Sequence, residues 1–137
     1  MKHWPWIAVA VVTVVVVIVL SRISTDTGQA AYETHCARCH GAEGEGFKDL
    51  YPPLAGVDYL ETHRERLPCI IRHGLEGRMV IQGKEYDLPM IGNPALSPLE
   101  IANIINYVNS NWGNDGAFMH VDEVERLLRE CAAVREE

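Results

Sequence analysis

Hydrophobic residues are crowded at one end of the chain and periodic at the other. Of the first 20 residues 16 are hydrophobic, and residues 4–20 carry no charge, with Thr13 the one strongly polar interruption. Seventeen such residues predict a helix of roughly 26 Å, close to the ~30 Å hydrocarbon layer of a membrane. Trp4 and Trp6 suit a membrane interface, and Lys2 and Arg22 bracket the run. A cleaved signal peptide is the competing reading. The small-x-small site that follows, Gly28-Gln29-Ala30, falls inside the next predicted helix, and no Cys follows the run to carry a lipid. An uncleaved single-span transmembrane anchor over residues 1–22 is therefore expected, with a short linker over 23–27. The stretch 21–27 reaches at most about 25 Å when extended, which favours fixed docking over a swinging tether.

Near the other end, Ser97-Pro98-Leu99-Glu100 forms a capping box with proline at the first helical position. Ile101, Ile104, Ile105 and Val108 follow at helical spacing, and Asn103, Asn106 and Asn109 fall on other faces. Gly113 is placed as the stop. Val121, Val124, Leu127, Leu128 and Cys131 then recur at helical spacing, predicting a short extra helix within a C-terminal extension, 115–137. The middle is different. Gly41 to Gly46 reads as a loop able to wrap a flat ligand, Met79-Val-Ile-Gln-Gly-Lys84 as a short extended turn, and Asp87-Leu88-Pro89-Met90-Ile91-Gly92 as a Pro/Gly-punctuated loop.

Composition sharpens this pattern. The chain of 137 residues is one domain's worth, 47% hydrophobic with a net charge of −7. Acidity argues against nucleic acid as a partner, and the hydrophobic content against general disorder. After residue 20, however, Leu, Ile, Val and Phe make up only 26 of 117 residues, about 22%, near the level at which a chain struggles to build a core unaided. Something else must complete that core.

The cysteines say what. Cys36-Ala37-Arg38-Cys39-His40 is the C-x-x-C-H pattern of covalent haem attachment. Two thiols three apart on a helical turn can add to the two vinyl groups of one haem, and the adjacent His40 is carried under the iron as an axial ligand. A thioredoxin-like motif would need a βαβ context, and a zinc site a second close ligand pair; neither is visible, because Cys69 and Cys131 stand far apart. One covalently attached haem c is the expected cofactor.

With these residues the chain resembles the monohaem class I cytochromes c, particularly bacterial membrane-associated ones, over about residues 28–114. The resemblance implies an all-α class I cytochrome c-like fold around the haem, here with one N-terminal transmembrane helix. Gly28-Gln-Ala-Ala-Tyr32-Glu-Thr-His-Cys36 looks like the family's N-terminal helix, with Gly28 and Tyr32 facing the C-terminal helix. Tyr107 and Trp112 are expected at that same interface. Tyr51-Pro-Pro-Leu-Ala-Gly56 resembles the loop in which a proline carbonyl accepts a hydrogen bond from the ligand imidazole, Pro52 matching better than Pro53. Arg72-His73-Gly74-Leu75-Glu76-Gly77 resembles the family's helix-ending stretch.

For the sixth iron position Met90 is expected, on the loop just before the final helix, although the family more often reads Met-Pro than Pro-Met. Met79 is the rival and His73 a weaker histidine alternative; His35, His63 and His120 read as surface residues. His40 plus Met90 fills both axial sites, raises the reduction potential and leaves no open site for a small molecule. Haem c domains mature on the oxidising side of a bacterial membrane, where free thiols pair, so a Cys69–Cys131 disulfide is expected to staple the extension to the middle helix.

Together these expectations describe a carrier of single electrons in a respiratory chain, not an enzyme. It is placed in the bacterial inner membrane through residues 4–20 with its haem domain periplasmic, as a subunit of, or docked to, a larger redox complex. The alternative is a haem enzyme or gas sensor with an open distal iron site. From Ser21 onward 11 Lys and Arg face 19 Asp and Glu, a net of −8, which points to a partner with a basic docking face.

Overall fold

The computed structural model describes the backbone of residues 4–135 and the side chains of 6–20 and 27–131. Among the described residues six helices occur in chain order: α1 (Trp4–His35), α2 (Ala37–His40), α3 (Tyr59–Thr62), α4 (Leu67–His73), α5 (Pro98–Asn109) and α6 (Val121–Arg135). A 3-10 turn, Arg64–Arg66, precedes α4. Four short strands lie between α4 and α5: β1 (Gly74–Leu75), β2 (Met79–Ile81), β3 (Lys84–Tyr86) and β4 (Met90–Ile91). They form two antiparallel pairs, with Leu75 opposite Met90 in β1–β4 and Val80 opposite Glu85 in β2–β3. The expected all-α class thus gains two small ribbons. The second closes at Gln82-Gly83, whose positive φ values of 50° and 77° suit a tight two-residue hairpin.

The expected transmembrane helix is not borne out. Among the described residues no helix is long and apolar enough to cross a membrane. The described apolar side chains of α1 occupy 6–20, all exposed, about 15 residues or ~22 Å of rise, short of the ~30 Å required. The side chains of Lys2, Trp4 and Arg22, expected to flank this run, lie outside the described residues. The backbone of 23–27, expected as a linker, is helical and continuous with 28–35. No Gly or Pro lies between Trp6 and Thr27 to interrupt it.

The last two turns of α1 cross α5 closely, and Gly28 permits it. A Cβ at Gly28 would stand 2.6 Å from the Asn103 carbonyl oxygen and 2.9 Å from the Tyr107 Cβ. One turn on, Tyr32 is fully buried against Trp112 and Tyr107, with ring centroids 4.9 and 5.5 Å apart. Its hydroxyl donates to the Gly41 carbonyl at 2.7 Å.

α5 starts with a complete capping box between Ser97 and Glu100 and buries Ile101, Ile104, Ile105 and Val108, the stripe seen in the sequence. α6 buries Val124 and Leu127 against the same core, with Met119 wholly enclosed. Three devices secure α6. A disulfide joins Cys69 of α4 to Cys131, with Cα atoms 6.0 Å apart. The Arg64 guanidinium donates to the carbonyls of Ala117 and Phe118 and pairs with Glu123 at 2.8 Å. Asn106 exchanges hydrogen bonds of 2.8 and 2.9 Å with the backbone of Met119.

Candidate functional site

Helix α1 ends at His35, and a single helical turn follows Cys36. The Cys39 and His40 amides both donate to the Cys36 carbonyl at 3.0 Å. That turn places Cys36, Cys39 and His40 on one wall of a cavity of about 320 Å³, whose remaining lining is largely apolar: Leu67, Ile70 and Ile71 of α4 with Ile104, Ile105 and Val108 of α5. Both thiols are free, whereas the other two cysteines are paired. Burial pushes the Cys36 thiol up to about 11, with the neighbouring Cys39 adding to the shift.

His40 is buried, with 8% of its surface exposed. Its Nδ1 lies 3.0 Å from the Pro52 carbonyl oxygen. A carbonyl only accepts, so Nδ1 carries the hydrogen and Nε2 keeps its lone pair for a metal. Burial holds the imidazole below its usual pKa, opposed by the Pro52 bond, which favours the neutral form that ligates a metal. Pro53 also lines the cavity, but the acceptor is Pro52. The loop that carries Pro52 is built on the one after the cysteine motif. Gly46 donates to the His40 carbonyl at 2.7 Å, and Leu54 and Ala55 donate to the Gly44 carbonyl at 2.7 and 2.9 Å.

Met90, in β4, lines the same cavity together with Leu88, Pro89 and Ile91. Met79 lines it too, but its side chain packs into a small cluster of Val57, Ile81 and Tyr86, a cluster Met90 does not join. Met119 is consumed by the helical core, and Met1 lies outside the described residues. His73 ends α4 and is not among the cavity-lining residues, whereas His35, exposed as expected, borders the cavity and contacts Asn93. Among the described residues no group of three or more His, Cys, Asp and Glu could hold a bare metal ion. Two thiols and an imidazole on one wall, sulfur donors beyond an apolar slot, and a preset imidazole tautomer fit a haem.

The sequence pattern sets Asn106 and Asn109 on faces other than the apolar stripe and gives Asn114 no role, yet all three bond within the fold. Asn109 is buried, and its Nδ2 donates to the Ala117 carbonyl at 3.2 Å. Asn114 bonds to Leu54, Gly56 and Val108. The available signal was polar residues recurring on α5 and just past its glycine stop, where a helix end needs side-chain partners.

The cytochrome c family model matches residues 25–112. Cytochrome c-552 of Thermus thermophilus is 34% identical over 83 residues, 58% of this chain and 63% of that protein. The fructose dehydrogenase cytochrome subunit of Gluconobacter japonicus is 34% identical over 109 residues, 75% of this chain but 22% of the relative. The cbb3-type cytochrome c oxidase subunit CcoP of Cereibacter sphaeroides is 26% identical over 117 residues, 83% of this chain and 40% of the relative. The chain thus spans less than two-thirds of the length of these curated relatives. With a family match over most of the chain and a cavity whose walls carry the attachment motif, this chain belongs to the cytochrome c family as a class I monohaem cytochrome c, with one covalently attached haem c.

Proposed function

We propose that the chain relays single electrons in a bacterial respiratory chain as a subunit of, or docked to, a larger redox complex. In this reading Cys36 and Cys39 would hold the haem as thioethers, and His40 and Met90 would ligate its iron. The carrying observation is the shared cavity, with Cys36, Cys39 and His40 on one wall and Met90 on the strand that lines it from β4. What the bound haem supplies is a one-electron iron couple. The chain's residues do the rest. Pro52 fixes the His40 tautomer and ring plane, apolar side chains of α4 and α5 exclude water, and Met90 offers a neutral sulfur that favours the reduced state.

Relatives named as a fructose dehydrogenase cytochrome subunit and a cbb3-type cytochrome c oxidase subunit support a place in such a complex. The Cys69–Cys131 disulfide supports a haem domain on the periplasmic, oxidising side.

The test is optical. The oxidised holoprotein should show the weak sulfur-to-iron band, and the reduced protein should fail to bind carbon monoxide. Met90→Ala should abolish the band and open the iron to carbon monoxide, while Met79→Ala should leave both unchanged. Carbon monoxide binding by the reduced wild type would overturn the carrier reading in favour of an open-site sensor or enzyme.

A further inference from the structure

Asn114 lies two residues beyond the family match and does not itself line the cavity, yet its amide bonds both α5 and the loop that carries Pro52. Its Nδ2 donates to the carbonyls of Val108, at 2.8 Å, and Leu54, at 2.9 Å. Its Oδ1 accepts from the Gly56 amide at 2.9 Å. A residue that merely capped α5 would need only the Val108 bond. The other two go to the segment that follows Pro52, and Pro52 orients His40.

The backbone is distorted to bring it there. Trp112 sits at φ +54° and Gly113 at φ +82°, consecutive left-handed residues that turn the chain back under α5. Such a φ is a genuine outlier for a bulky residue and persists where surrounding contacts demand it. The Trp112 ring lies against Gly44, where a Cβ would come within 2.6 Å of it, and the Gly44 carbonyl holds the Leu54 and Ala55 amides. A third contact comes from the β2–β3 hairpin tip, where the Gln82 side chain donates to the Gly56 carbonyl at 3.0 Å.

We propose that Asn114 is a positioning residue for the proximal ligand: by clamping Leu54 and Gly56 it holds the Pro52 carbonyl on the Nδ1–H of His40. Gln82 supports the same clamp through its bond to the Gly56 carbonyl. The inference rests on His40 as axial ligand. A firm Nδ1–H bond makes the imidazole a stronger donor and favours the oxidised state, so loosening the clamp moves the reduction potential upward.

The experiment compares haem-loaded wild type, Asn114→Ala, Gln82→Ala and Asn106→Ala by NMR and redox titration. The last variant removes two hydrogen bonds to Met119 without changing charge, a purely structural loss elsewhere. In Asn114→Ala, exchange of the His40 Nδ1 proton with solvent should quicken about tenfold, the factor expected for one weakened hydrogen bond, and the potential should rise. Gln82→Ala should move both in the same direction by less. Asn106→Ala should lower stability and move neither. Unchanged exchange and potential in Asn114→Ala would overturn the proposal. If that variant does not fold, the same null result in Gln82→Ala, at an exposed hairpin tip, overturns it. If the wild-type His40 ring protons lack the shifts of an iron ligand, the ligand assignment itself has failed, which is a separate outcome.

Discussion

The two halves of the haem domain are held together by different physics. On the helical side, the end of α1, α5 and α6 enclose Ile101, Met119 and Val124 with no exposed surface, and a disulfide and an arginine clasp fasten the outer helix. On the loop side, residues 41–58 and 74–92 bury only Val57, Ile81 and Tyr86 as a cluster, and owe their shape mainly to backbone hydrogen bonds. Apolar burial scales with area removed from water, so the first side makes its own core and the second does not. The walls of the cavity are a surface that only a ligand can turn into an interior. The two sides differ in what their apolar residues pack against: those of the helical side meet one another, and several of the loop side, such as Leu54, Leu75 and Leu88, line the cavity.

The sharpest way to break this comparison is to withhold the ligand. Cys36→Ser with Cys39→Ser removes both thioether attachments. Native-state hydrogen exchange should then show the Leu54, Ala55, Gly56 and Asn93 amides falling toward the protection of an open loop, with opening free energies near zero. The amides of α5 should stay protected well above them. Equal loss across both sides would mean that the helical core also depends on the haem.

The same division decides what could be read from the sequence. The stripes of α5 and α6 were legible because helical burial is periodic, and Ser97 to Glu100 announced a helix start with local chemistry. The attachment motif was legible because its spacing is itself the chemistry. The hairpin at 79–86 was seen only as an extended turn, because strands of three residues carry too little alternation to register. The asparagines were set aside because their partners lie in distant or irregular backbone: Asn114 reaches Leu54, 60 residues away, and no pattern predicts such a bond. The 4–20 run was overread as a membrane span. Its composition was right for one, but apolar length is the deciding quantity, and the described apolar stretch falls short of it.

A smaller effect separates burial from cross-linking on the helical side. The disulfide spans 62 positions, and closing a loop of that length stabilises by about 4 kcal/mol in the chain-entropy account. Cys69→Ser with Cys131→Ser should lower the urea unfolding free energy of the holoprotein by roughly that amount, with α6 losing exchange protection first and the visible spectrum unchanged. A loss below about 1 kcal/mol would show that Val124, Leu127 and the Arg64–Glu123 clasp suffice to seat the helix.

The smallest effect lies where the two sides meet. Ser97 caps α5 a few residues after Met90, its hydroxyl accepting from the Glu100 amide at 3.3 Å and donating to the Glu100 carboxylate at 2.7 Å. That hydroxyl, and after it the Ser97 amide, holds the Glu100 carboxyl below the usual range. A depressed carboxyl stabilises the fold above its unfolded pKa, and the contribution disappears as pH falls through the folded value. Ser97→Ala should therefore cost about 1 kcal/mol at neutral pH, the usual loss for a serine cap, with the difference from wild type shrinking in acid. Because the cap belongs to the helical side, the sulfur-to-iron band should not move. If it does move, strain at the α5 start reaches Met90 through 92–96, and the boundary between self-supporting core and ligand-dependent wall lies inside α5 rather than before it.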